Sequence, residues 1–88
     1  MTKREKRLLK IRQNPKNVSF EDLRTILEDY GFVLKRSTGS HHSFQANVGD
    51  TEILIVIPYA RPIGTAYVKE AVKLIDEIVR LSDNREED

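Results

Sequence analysis

Eighty-eight residues with fifteen Lys and Arg, fourteen Asp and Glu and no cysteine set the first limits: one domain, burying only roughly 60–65% of the surface its unfolded chain exposes, with neither disulfides nor thiolate zinc sites to staple it. The longest aliphatic run, Ile53-Leu54-Ile55-Val56-Ile57, is far short of the ~20 residues a spanning helix needs, and the basic N-terminus holds too few apolar residues for a signal peptide. The expectation is a cytoplasmic protein with no membrane association.

Residues 3–13 read as a short helix, cut off by Asn14-Pro15-Lys16-Asn17. Residues 1–16 carry seven Lys and Arg against one Glu, so 1–17 is read as a basic arm outside the core, a plausible handle for a polyanion such as nucleic acid. The domain proper is expected over 18–82. Ser19 is a good N-cap, and Phe20, Leu23, Ile26, Leu27 and Tyr30 recur at helical spacing until Gly31 stops the helix.

Phe32 to Arg36 then reads as a strand, Thr38-Gly39-Ser40 as a turn, His41 to Ala46 as a second strand, Asn47 to Asp50 as a turn, and Glu52 to Ile57 as a third strand. Pro58 and Pro62 mark an irregular connection. Val68, Ala71, Val72, Ile75, Ile78 and Val79 repeat at three and four, which predicts a longer helix ending near Leu81. Residues 83–88 are expected to form an acidic disordered tail. The order predicts an α+β fold of two layers: helix, three antiparallel strands, helix, with both helices on one face of the sheet.

The stretch Ser37-Thr38-Gly39-Ser40-His41-His42-Ser43-Phe44 holds both histidines. Neighbouring side chains of a strand point to opposite faces, so if Phe44 faces the helices, His42 and Ala46 share its side while His41, Ser43 and Gln45 face away. Adjacent strand residues cannot readily bind one ion, and the chain offers no other histidine or cysteine; no metal or cofactor is implied. Acid–base chemistry is left, since an exposed imidazole exchanges protons near neutral pH. His41 lies beside Gly39, where the backbone leaves room for a substrate, and beside the hydroxyls of Thr38 and Ser40. Lys35 and Arg36, one strand away, offer charge for an anionic substrate. A histidine in a turn can also be merely solvated, and His42 reads as a half-buried, hydrogen-bonded structural residue.

The order of elements, together with "GSHHSF" at 39–44, "ILIVIP" at 53–58 and "IGTAYVKEAVKLI" at 63–75, resembles the HicA (YcfA-like) toxins of bacterial and archaeal toxin–antitoxin pairs over roughly residues 18–81. The resemblance implies a double-stranded-RNA-binding-domain-like fold, an mRNA interferase activity, a HicB-like antitoxin as partner, and His41 as the catalytic residue. Strand alternation had already placed His41 on the open face. Many members carry a histidine two residues after the proline that ends the third strand; this chain has Ala60 there, and Arg61 is the nearest charged group in that loop.

The reading that results is a metal-independent endoribonuclease. His41 acts as general base on a ribose 2′-hydroxyl, and Lys35, Arg36, Arg61, Gly39, Ser40 and His42 form the surroundings of the RNA. The alternatives are a non-catalytic RNA-binding module of the same fold, or a protein-interaction partner. The third strand raises a separate point: it is apolar on both faces, whereas a strand between helices and water should alternate. Its outward residues are expected to be covered by the N-terminal arm, a second copy in a homodimer or, preferred here, the antitoxin; alternatively the strand is central and shielded by Lys35 and Gln45.

Overall fold

Local signals in the chain define each element of the computed structural model, which describes residues 1–86 of the backbone and side-chain surroundings through residue 82. Thr2 caps helix α1 (Lys3–Gln13) in a reciprocal box with Glu5, and a single 3-10 turn at Pro15–Asn17 follows. Ser19 caps α2 (Phe20–Asp29) by accepting the Asp22 amide at 3.0 Å. The end of α2 is equally explicit. The Phe32 amide donates to the Leu27 carbonyl and that of Gly31 to the Glu28 carbonyl, with Gly31 at φ 97°, a left-handed residue that glycine adopts without steric cost.

Strands β1 (Val33–Thr38), β2 (His41–Val48) and β3 (Thr51–Pro58) form an antiparallel sheet in the order β1-β2-β3. Helix α3 (Thr65–Glu86) closes the chain. From α2 to α3 the architecture is α+β and like a double-stranded-RNA-binding domain, with α1 added to the helical side. Among the described residues no helix is long and apolar enough to cross a membrane.

The core lies between the sheet and the helices. Phe44 and Ala46 of β2, Ile53, Ile55 and Ile57 of β3, Leu23, Ile26 and Leu27 of α2, and Val68, Ala71 and Ile75 of α3 are all buried in it. The apolar third strand is thereby resolved. Its isoleucines point inward, and Leu54 and Val56 face out, 58% and 47% exposed. The strand is an edge, not the centre of the sheet, so the expectation of a shielded central strand does not hold.

Two further expectations are corrected. The N-terminal segment is not an arm outside the core: Leu8 and Ile11 are buried, and α1 packs against α2 and α3. Arginines latch it down. Arg7 pairs with Asp29 at 2.5 Å, Arg12 pairs with Asp76 on α3, and Arg4 donates to the Asp29 carbonyl while lying over the Tyr30 ring. The hydrogen bond to Asp76 raises the pKa of Arg12 further above its already high value, and the guanidinium is charged throughout. Packed there, α1 cannot cover Leu54 and Val56 on the far side of the sheet. The second correction concerns α3, whose backbone continues past Leu81 to Glu86, so residues 83–86 of the expected tail are helical; residues 87–88 lie outside the described part.

The docking of α1 has a measurable consequence. Truncating a buried aliphatic side chain to alanine costs about 2–5 kcal/mol, and the lower end applies at this rim of the core. A Leu8→Ala/Ile11→Ala variant should therefore lose about 3–4 kcal/mol of stability in urea unfolding, whereas a dispensable arm would leave the midpoint unchanged.

Candidate functional site

The site is built at one end of the sheet, where the β1–β2 hairpin turns. Thr38 pairs with His41, so the turn has two residues, Gly39 and Ser40. Gly39 sits at φ 60°, the first central position of a tight hairpin that favours glycine. A Cβ at Gly39 would meet nothing within 4 Å, so glycine is required here by backbone conformation and the approach to the turn is open.

Phe44, fully buried in the core, fixes the facing of β2. His42 and Ala46 follow it inward; His41, exposed, and the half-buried Ser43 and Gln45 face the open side. The register then fills in the open face. Thr38, His41 and Pro58 form one row across the three strands, Arg36, Ser43 and Val56 the next. Arg36 reaches this face through a β-bulge. The register shifts between Leu34 and Arg36, leaving Lys35 as the extra, exposed residue without a cross-strand partner. Arg36 and His41 become diagonal neighbours, roughly 7–8 Å apart at their Cα atoms. Lys35 and Arg36 are thus not equivalent, a distinction that adjacency in the sequence does not reveal.

His42 has a different setting. Its ring lies 4.6 Å from that of Phe20, which in turn lies 5.2 Å from Tyr59. Its Nδ1 is 3.1 Å from the Ser40 carbonyl. A carbonyl only accepts, so Nδ1 carries a proton and donates. The same carbonyl accepts the Tyr59 amide at 2.7 Å. Arg61 joins this second group: its Nε donates to the Tyr59 hydroxyl at 2.8 Å, a bond that raises the pKa of Arg61 and favours its charged form. The loop carrying Tyr59 and Arg61 is held at its far end by Ile63, buried, whose amide donates to the Val18 carbonyl at 3.0 Å.

The expected site residues therefore divide into two groups that meet at the turn. His41, Arg36 and Thr38 occupy the open face, whereas His42 and Arg61 sit with Phe20 and Tyr59 around its inner rim. Gly39 and Ser40 join them. Ala60, in the place of an expected histidine, is half-buried against the core. Tyr59 and Phe20 carry only a weak signal in the sequence. An aromatic after the strand-ending proline and another at the first position of α2 were the available signals. Among the described residues no three His, Cys, Asp or Glu side chains converge as a metal site would require.

The fold and the histidine-bearing hairpin define a small α+β protein of the double-stranded-RNA-binding-domain type with polar and ionisable groups clustered at one end of its sheet. Residues 20–76 match the family described as the HicA toxin of bacterial toxin–antitoxin pairs, and the chain belongs to that family. No curated protein and no solved structure matches it. Membership makes this chain the toxin of a toxin–antitoxin system, and implies an antitoxin partner and an RNA target in general. Helix α1 precedes the matched segment.

The half-buried setting of His42 predicts a structural role. His42→Ala removes the contact with Phe20 and the bond to the turn carbonyl, and should cost about 1–2 kcal/mol in thermal or urea unfolding. His41→Ala, at an exposed position, should stay within about 0.5 kcal/mol of the parent.

Proposed function

We propose that the chain is an mRNA endoribonuclease of the cytoplasm, with His41 as general base. The observation that carries this reading is the position of His41 on the open face beside an unobstructed glycine turn and diagonal to Arg36, in a chain of the toxin family. His41 takes the proton of a ribose 2′-hydroxyl; the freed oxygen attacks the adjacent phosphorus, and the bond from phosphorus to the 5′ oxygen breaks. The leaving oxygen takes a proton from Tyr59, His42 or water. Arg36 and Lys35 on one side of the turn and Arg61 on the other stabilise the charge that builds on the phosphoryl oxygens, while Gly39 and Ser40 let the backbone approach closely. RNA supplies its own nucleophile, so the reaction is proposed to need neither metal nor cofactor. A HicB-like antitoxin is proposed to lie over the open face, covering Leu54 and Val56 and excluding RNA from His41.

Loss of a general base typically costs about 10²–10⁴ in rate. His41→Ala should accordingly lose growth inhibition and cleavage by at least that factor while keeping the parent's melting curve, with RNA binding retained. Cleavage by the parent protein should persist in excess EDTA and leave a 2′,3′-cyclic phosphate. Equal toxicity of parent and variant, or a 5′-phosphate product, would overturn the mechanism and favour the RNA-binding module.

The basic N-terminus offers a second test. Its arginines are engaged within the fold, but Lys3, Lys6 and Lys10 follow one another at helical spacing, are exposed and make no ion pair among the described residues. Each phosphate neutralised contributes about 0.7–0.9 to the slope of log affinity against log salt. Replacing the three lysines with glutamine should flatten that slope by up to about 2–3 if they contact RNA, and an unchanged slope assigns them to solvent.

A further inference from the structure

The two edges of the sheet are built differently. On β1 the bulge interrupts the ladder, and the exposed Lys35 and Arg36 charge that edge. Bulges and edge lysines are the usual devices that stop a sheet from pairing with another chain. On β3 the register runs without a shift from Thr51 to Pro58, and Ile53 to Ile57 contains no charge, proline or glycine. Its outward side chains, Leu54 and Val56, are about half exposed. One edge is closed to association; the other is open.

We propose that the β3 edge pairs with the β3 edge of a second copy of this chain, antiparallel about a two-fold axis through Ile55. The run Ile-Leu-Ile-Val-Ile reads nearly the same in both directions, so this register sets Leu54 against Val56 of the second copy and Ile53 against Ile57, apolar against apolar on both faces. At the ends Glu52 meets Pro58 and Thr51 meets Tyr59, so no like charges face each other. The product is a six-stranded sheet whose only remaining edges are the two bulged, cationic β1 strands, so association stops at a closed dimer and does not continue into a filament. An axis perpendicular to the sheet keeps both open faces on one side, with the two His41 residues roughly 25 Å apart from strand spacing and rise. A contact of one strand with one strand buries less than the roughly 1,000 Å² of a stable interface, so the dimer is a weak, concentration-dependent one.

The register makes the test specific. Sedimentation of the isolated chain across about 10–500 μM, a range chosen for a micromolar dissociation constant, should show a monomer–dimer equilibrium. Leu54→Lys/Val56→Lys places lysine against lysine twice and should weaken the dimer at least about tenfold. Leu54→Lys/Val56→Glu instead sets each lysine against a glutamate of the second copy, and should restore association that falls as salt is raised. Because both positions are exposed, circular dichroism melts of the variants should overlay the parent. A parent that stays monomeric throughout, a lysine pair that dimerises as the parent does, or a lysine–glutamate pair as monomeric as the double lysine would each overturn the proposal. So would loss of antitoxin binding in both variants with no change in self-association, which would assign the edge to the antitoxin.

Discussion

Phe44 is the fixed point from which the rest of this structure follows. It is fully buried at the centre of the middle strand, and a strand has no freedom to place its neighbours except alternately. With Phe44 inward, His42 is carried onto Phe20 and His41 onto the open face, although the two are adjacent in the chain. A slip of one residue would exchange their surroundings and expose Phe44. The hydrophobic contribution of that one ring, about 1.5–3 kcal/mol, is enough to hold the strand's facing in a domain of this size. The opposite environments of the two histidines are a consequence of packing rather than of any local preference.

The core is one-sided, and that asymmetry explains both the added helix and the open face. The buried inward residues of β2 and β3 share one core with α2 and α3, and α1 extends the same layer through Leu8 and Ile11, pinned by three arginines at its flanks. Exposed ion pairs of this kind contribute little on their own; the buried aliphatic pair does more, and the arginines fix the direction in which the helix lies. Because stabilisation comes from the helical layer, the other face of the sheet is left to carry Arg36, Thr38, His41 and Ser43 beside Leu54 and Val56. Such a face is open to a polyanion and to a protein partner, the two kinds of ligand that membership of the toxin family implies in general.

The Ser40 carbonyl accepts from both the Tyr59 amide and His42 Nδ1. Through it the turn, the end of β3 and the loop bearing Arg61 are tied into one unit. Bonds of this strength, about 0.5–1.5 kcal/mol each, do not stabilise the fold much, but they limit how far the exposed imidazole and the Tyr59–Arg61 pair can move relative to each other.

The sequence by itself determined the element order, the two-layer arrangement, the separation of His41 from His42 and the family. Each of these rests on short-range signals: period 2 against period 3.6, Ser19 and Gly31 as helix boundaries, and a Gly-Ser turn directly before the histidines. Only the tertiary structure decided that the isoleucines of the third strand face inward, that this strand is an edge, that Lys35 is the bulge residue and Arg36 the one beside His41, and that the basic N-terminus is a docked helix. Those outcomes depend on which strand lies beside which and on what a helix finds to pack against. An apolar run with no alternation carries no information about its facing, and a short amphipathic helix reads the same whether or not a groove is waiting for Leu8 and Ile11. Such choices are made by contacts between residues far apart in the chain, which local patterns do not encode.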